Sequence, residues 1–389
     1  MTTATNPGSM ATSARTGPAN PYSERIFNYS AGPGVLPDDV IKQAQHDMSN
    51  IAGSGMGIME HSHRAKVYDR VLHEALEDCR AIGKLPSNYH VIFMTGGATS
   101  QNFLIPANLL GQTESADYLT TGYWAERSYE DARMYGNVRE AWDGRKVNHA
   151  YCPAQSEIRY SENPVYVHMC SNNTIYGTQW RNADGSIRLP EIPSGSFLAC
   201  DMCSDIYSRP FDVTKFGIVY AGAQKNVGIA GVSVAFIRDD LLARNPRELP
   251  LMLQYRVMVK EESRHNTPPV FPIYMSGLVF KWIIKQGGLE ALHKRNVEKA
   301  KLVYDVLDQS KFYTGHARAD SRSLMNITFR SPSAALDDKF ITEALKNGMD
   351  NLKGHRATGG MRASVYNAMP REGCVALAQF MREFERVNG

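Results

Sequence analysis

Two residues of opposite charge stand 24 positions apart, each just beyond a short apolar run. Asp201 follows residues 197–200, and Lys225 follows residues 217–221 after a short glycine-containing turn. A lysine at the mouth of a buried sheet is desolvated, which predicts a lowered pKa and a usable amine nucleophile. A carboxylate one crossover unit earlier can keep a pyridinium nitrogen protonated. A structural salt bridge between neighbouring strand ends would use the same two residues. Three further strand ends add to them. Gly96-Gly97-Ala98-Thr99-Ser100-Gln101 is a small-residue turn between an apolar run and a helix, the arrangement that offers N–H groups to a phosphate. Gly122-Tyr123-Trp124 places an indole that could stack on a flat ring at the end of another strand, and Asn172-Asn173-Thr174 supplies a hydroxyl. Phosphate cup, ring, hydroxyl, carboxylate and lysine are the parts of a pyridoxal phosphate site.

The elements that must position these groups alternate along the chain. Val67, Val71, Leu72, Ala75, Leu76, Cys79 and Ile82 recur at helical spacing, with Gly83 placed to cap the helix. Residues 91–94, 118–121, 165–170, 197–200, 217–221 and 232–237 are short, nearly continuous apolar runs, as parallel strands covered on both faces are. Residues 102–110 are a helix candidate between the first two. The pattern predicts an α/β fold, and ligands of such sheets bind outside the carboxyl ends of the strands. After about residue 280 the texture changes to a long amphipathic helix through Leu289, Leu292, Ala300, Val303 and Leu307. A strand at 324–329 and a final helix through Leu377, Met381 and Phe384 follow. The expected organisation is a disordered tail at 1–22, an N-terminal segment at 23–37 packed with the small domain, a large cofactor domain at 38–280, and a small C-terminal α/β domain at 281–389. The tail is rich in Ser, Thr, Ala, Pro and Gly and lacks the apolar core of a secretory signal.

Composition excludes other classes. The 389 residues carry 43 Lys+Arg against 40 Asp+Glu, so no basic footprint for nucleic acid is present. No apolar run approaches the roughly 18–20 residues of a membrane span; the stretch at 277–284 is broken by Lys281. Six cysteines are too few for a disulfide scaffold, and Cys200-Asp201-Met202-Cys203 has no second pair to complete a zinc site, so no metal is expected. Cys200 is read as the end of a strand and Cys203 as incidental. Free thiols without a secretory signal suggest a reducing, cytoplasmic compartment. The run at 96–101 is not a P-loop, and Gly53-Ser54-Gly55-Met56-Gly57 is not a dinucleotide fingerprint, which weighs against a nicotinamide dehydrogenase.

Several segments extend the pattern: Ala31-Gly32-Pro33, Ser62-His63-Arg64, Ser208-Arg209-Pro210, Tyr220-Ala221-Gly222-Ala223-Gln224-Lys225-Asn226, Asn266-Thr267-Pro268-Pro269, Gly354-His355-Arg356 and Gly359-Gly360-Met361-Arg362-Ala363-Ser364. In this order they resemble the phosphoserine aminotransferase family, a class V branch of the fold-type I pyridoxal phosphate enzymes, over nearly the whole chain from about residue 27. The resemblance implies a large domain with a mainly parallel seven-stranded sheet sandwiched by helices. It implies reversible ping-pong transamination between L-glutamate/2-oxoglutarate and 3-phosphohydroxypyruvate/O-phospho-L-serine, in serine biosynthesis. Lys225 would bond the cofactor aldehyde, Asp201 would pair with the ring nitrogen, Trp124 would stack on the ring, and Thr174 would contact its phenolic oxygen or carboxyl-side groups. Ala98, Thr99 and Gln224 would hold the phosphate, with Asn266 and Thr267 reaching it from the partner of a homodimer. Arg362 would clamp the substrate carboxylate; His355, Arg356 and the partner's His63 and Arg64 would hold the substrate phosphate. The chain departs from the family at Thr99, where an arginine often stands, at Asn102, where an aromatic often stands, and at Met202, Cys203 and Asp205. Related class V activities, alanine–glyoxylate transamination and cysteine desulfuration, could use the same core, as could a catalytically silent dimeric binding protein.

Overall fold

The computed structural model describes residues 25–389; the expected tail at 1–22 lies outside them. Seven strands form the main sheet: β1 (Tyr89–Thr95), β2 (Ser115–Thr120), β3 (Asn137–Asp143), β4 (Tyr166–Cys170), β5 (Phe197–Asp201), β6 (Phe216–Gly222) and β7 (Val232–Arg238). Their order across the sheet is β1-β7-β6-β5-β4-β2-β3. β7 alone runs against the rest: it is antiparallel to both β1 and β6, while every other pairing is parallel. Six strands therefore deliver their carboxyl ends to one edge.

Alternate residues of each strand enter different cores, as the pleat requires. Val91, Phe93, Val167, Met169, Leu198, Val219 and Val234 pack on one face, where helices Lys66–Gly83 and Val270–Lys285 lie against each other. Ile92, Met94, Tyr118, Tyr166, Ala199, Ile218 and Ala235 pack on the other, with helices Gln101–Leu109 and Tyr255–Lys260. Both faces are dry, so the strands read as unbroken apolar runs. A third core joins helices Gly288–Gln309, Ala334–Lys346 and Arg371–Asn388 to a three-stranded antiparallel sheet of Thr314–Gly315, Asn326–Arg330 and Met361–Ser364. Phe27 and Tyr29 belong to this core, and Phe27–Asn28 pairs in parallel with Met349–Asp350.

The structure adds one strand to the expectation and corrects one helix cap. β3 carries no apolar run because it is an edge strand, buried only at Ala141 and Trp142 along its length. The helix Lys66–Gly83 is not capped by its glycine: Gly83 is its last helical residue, and Lys84 takes the left-handed conformation at φ 50°. Among the described residues no helix is long and apolar enough to cross a membrane.

Phe340 is fully buried at the hub of the third core, its ring 4.9 Å from that of Phe380 and 5.1 Å from that of Phe384, with Tyr313 and Phe329 edge-on. Phe340→Ala is expected to cost about 3–5 kcal/mol of folding stability, the range for emptying a buried aromatic site. Denaturant unfolding measures it; a loss below about 1 kcal/mol would show that the core collapses to fill the gap.

Candidate active site

A cavity at the carboxyl edge of the sheet is lined by Ala98, Thr99, Trp124, Thr174, Asp201, Gln224 and Lys225. These are seven of the predicted residues, and they come from five strand ends. After β1 the chain turns at Gly96, whose φ of +97° suits glycine and whose N–H donates to the carbonyl of Gly231 at 2.9 Å. A one-turn 3₁₀ segment, Ala98–Ser100, then leads straight into helix Gln101–Leu109. A Cβ built on Gly96 or Gly97 meets nothing within 4 Å, so the space in front of this turn is open. The site thus presents a helix start to an anion.

After β2 the backbone passes close to Asn173: a Cβ on Gly122 would stand 2.5 Å from its Oδ1. The Asn173 amide cannot swing aside, because Nδ2 donates to Thr121 Oγ1 and Thr178 Oγ1. Trp124 then falls in the first turn of helix Tyr123–Ala132 rather than at a strand end as expected. Its indole is 37% exposed, the posture of a platform rather than of a core aromatic. Asn102 ties this helix to the preceding one, accepting from Ser128 Oγ at 2.8 Å and donating to Asp131 Oδ2 at 3.1 Å.

Asp201 closes β5 and is buried; one carboxylate oxygen accepts the backbone N–H of Cys203 at 2.7 Å. Burial pushes its pKa up, against the pull of that hydrogen bond and of the Lys225 charge. Cys203 is not incidental: it lines the cavity, and its sulfur accepts the N–H of Gly222 at 3.2 Å. All six cysteines are free. Behind the loop, a buried Asp205–Arg209 ion pair at 2.9 Å is completed by Gln179 and Ser171. The departure at Asp205 therefore brings its own counterion.

Lys225 Nζ donates to Thr174 Oγ1 at 2.7 Å. Its pKa corrects the expectation. Burial lowers it, but Tyr366, Cys203 and Asp201 around it raise it more, and the ammonium ends above the usual lysine value. Tyr366 had no signal in the sequence, where it is a lone tyrosine after a strand. It reaches this site through the third core, its hydroxyl donating to the carbonyl of Ala31 at 2.6 Å. The Ala31-Gly32-Pro33 segment then lies on the lysine: a Cβ on Gly32 would stand 3.4 Å from Lys225 Cγ, and Gly34 N–H donates to the Gln224 carbonyl at 2.7 Å.

Beside Tyr123 and Trp124 lies positive charge. The His355 ring is 6.0 Å from that of Tyr123, and its pKa is pushed down by burial and by Arg362 and Arg356. Arg362 sits in the strand Met361–Ser364; its Nε is buried without a hydrogen-bond partner. None of His63, Arg64, Asn266, Thr267, His355, Arg356 and Arg362 lines this cavity. Arg64 and Thr267 are exposed, and Asn266 Nδ2 donates only to the neighbouring Thr267 carbonyl, at 3.2 Å. Cys170, Asn172 and Ser204 line the cavity without having been singled out as binding residues. Among the described residues no group of three or more His, Cys, Asp or Glu could hold a metal ion.

A mainly parallel sheet with a lysine, a carboxylate and an open helix start at its carboxyl edge defines an aminotransferase fold. Residues 26–377 match the family Aminotransferase class-V, and the chain belongs to that family. It is 47% identical over 365 residues to the phosphoserine aminotransferase of Herpetosiphon aurantiacus, covering 94% of this chain and 99% of that one. The solved phosphoserine aminotransferase from Bacillus circulans subsp. alkalophilus superposes with a TM-score of 0.90 at 45% identity, covering 94% of this chain and 100% of that chain. The pyridoxal phosphate-bound phosphoserine aminotransferase from Trichomonas vaginalis superposes with a TM-score of 0.87 at 36% identity, covering 92% and 100%.

Gly122→Ala is expected to destabilise the fold by about 1–3 kcal/mol, the usual penalty for forcing an atom into a packed site. Denaturant unfolding checks it; an unchanged midpoint would mean that the Trp124 turn has more room than its distance to Asn173 allows.

Proposed function

We propose that this protein is a phosphoserine aminotransferase: it moves the amino group of L-glutamate to 3-phosphohydroxypyruvate, leaving 2-oxoglutarate and O-phospho-L-serine, reversibly and by a ping-pong course. The observation that carries the reading is the convergence of Lys225, Asp201, Trp124 and the Ala98–Ser100 turn on one cavity, in a chain of this family. The residues fit pyridoxal 5′-phosphate. The open turn before helix Gln101–Leu109 suits its phosphate, the buried Asp201 its ring nitrogen, the exposed indole its flat face, and Lys225 its aldehyde. When bound, the cofactor supplies an aldehyde for the amino group and a protonated ring that draws electron density from the substrate α-carbon.

In its neutral amine form, rather than the ammonium that its surroundings favour, Lys225 Nζ removes the proton from Cα of the amino acid, and as the ammonium so formed it returns one to Cα of the oxo acid. Thr174 Oγ1, which accepts from Nζ, aims it. Asp201 keeps the proton on the ring nitrogen; its own burial makes a lone anion unfavourable there, so a cationic neighbour is welcome. Ala98, Thr99 and Gln224 hold the cofactor phosphate. Arg362, with an unpartnered buried Nε, clamps the substrate α-carboxylate as a planar fork. His355 and Arg356 meet the far end of the substrate, phosphate in one half-reaction and carboxylate in the other.

A homodimer is part of the proposal. His63, Arg64, Asn266 and Thr267 do not line their own cavity, and Arg64 and Thr267 are exposed, which fits a contribution to a partner's site. On this reading residues 38–280 hold the cofactor, while 281–389, joined by 23–37, supply Arg362. The third core includes Phe27 and Tyr29 but none of β1–β7, which supports that division, while Ile283, Leu289 and Leu292 pack in a core of the main sheet.

Lys225→Ala should lower turnover by at least about 10³-fold, within the span of general acid–base effects, and should abolish a yellow, borohydride-reducible chromophore. Stopped assays and absorbance check both; retained turnover with a retained visible band would overturn the assignment. Arg64→Ala should raise KM for 3-phosphohydroxypyruvate and 2-oxoglutarate by about tenfold, the worth of one exposed-to-partly-buried charge contact, with cofactor affinity unchanged. Steady-state kinetics beside a cofactor titration separate the two; equal losses would make Arg64 structural.

A further inference from the structure

Arg362 stands on a strand of the third core, whereas the cofactor cavity belongs to the main sheet, so something must register one against the other. Several hydrogen bonds cross this junction, and the buried amide of Asn326 is one that ties the strand pair carrying Arg362 to a wall of the cofactor cavity. Asn326 opens the strand Asn326–Arg330, which pairs with Met361–Ser364 so that Asn326 faces Ser364 and Thr328 faces Arg362. Residues two apart share a face of the pleat, so Asn326 and Ser364 lie on the same side as Arg362. Asn326 Nδ2 donates to Ser364 Oγ at 2.9 Å and to the Tyr366 hydroxyl at 3.2 Å. Its Oδ1 accepts from Asn172 Nδ2 at 2.8 Å, and the other Asn172 amide proton goes to Ser204 Oγ at 2.7 Å. Asn172 and Ser204 are walls of the cofactor cavity. Every one of these side chains is at most 2% exposed.

The proton count fixes the direction of each bond. Both protons of Asn326 Nδ2 and both of Asn172 Nδ2 are used. Ser323 Oγ donates to Asn172 Oδ1 and accepts the N–H of Met325 and of Asn326, which holds Asn172 in its orientation. A flipped Asn326 would set its NH₂ against that of Asn172. Tyr366 passes the chain on to Ala31, whose neighbour Gly32 lies against Lys225. A buried polar network satisfied throughout is rigid and specifies one arrangement.

We infer that Asn326 is a positioning residue for the reaction: it sets the distance between the Arg362 guanidinium and the cofactor cavity. The inference rests on the proposed role of Arg362. Nothing in it requires Asn326 to touch substrate or cofactor.

The test is a double-mutant cycle on the holoenzyme. Asn326→Ala should raise KM for glutamate and for 2-oxoglutarate by about tenfold, since small misplacements of a binding group carry penalties of that order or more, while cofactor affinity stays within about twofold. In an Arg362→Ala background the same substitution should change KM by less than about twofold, because its route to the substrate is gone. An unchanged KM in the single variant, an equal loss of cofactor affinity, or an undiminished effect without Arg362 would each overturn the inference. Asn326→Ser, which keeps an acceptor for Asn172 and one donor, should give a smaller rise, and it carries the cycle if the alanine variant does not fold. An Arg362→Ala enzyme with ordinary KM would instead overturn the assignment of Arg362 itself.

Discussion

A carboxylate at the inner end of a buried strand favours its neutral form, and Asp201 is such a carboxylate: burial is the first cause of its raised pKa. Two features hold it toward the anion, the N–H of Cys203 and the cation of Lys225. The rest of the site follows from that pairing. β5 and β6 must be parallel neighbours for the two residues to share an edge. The turn after β6 must present the lysine back across the strand ends, and a wall must keep water from weakening the attraction. Gly32, Gly34 and Tyr366 supply that wall from outside the main sheet. The same neighbourhood reverses the expected effect on Lys225, whose ammonium is held rather than released.

Much of this was legible because burial on both faces of a sheet leaves a simple trace. β4, β5, β6 and β7 read as continuous apolar runs, and each residue just beyond a run was a candidate for chemistry. Lys225, Asp201 and Thr174 were found in that way, and Gln224 through the resemblance. Where the trace depends on only one buried face it fails. β3, at the sheet edge, is buried only at Ala141 and Trp142 and was not expected. Trp124 was located to the right turn but the wrong element, because a helix begins one residue after a glycine that is chosen for close approach to Asn173 rather than for its φ.

A different kind of residue was not legible at all. Tyr366 and Asn326 act across the junction of two cores, and their partners Ala31 and Asn172 lie far away in sequence. No local period or spacing marks such pairs, since each is an ordinary polar residue in its own segment. Their meaning arises only when the third core closes onto the main sheet. The charged cluster around Arg362 was named only through the family resemblance, because the +3 balance of the chain is an average over separate neighbourhoods.

The reversed strand β7 bears on how the molecule is made. β1 stands at the edge of the sheet and pairs only with β7, and the Gly96 N–H is anchored on the carbonyl of Gly231 at the entrance to that strand. As the chain leaves the ribosome, β2 to β6 can assemble in turn, but β1 has no neighbour until residues 232–238 emerge. The phosphate turn is therefore among the last parts of the sheet to be secured, although it is among the first to be synthesised. An apolar strand left waiting in this way is a hazard for misassociation, and closure of the cofactor site coincides with its removal.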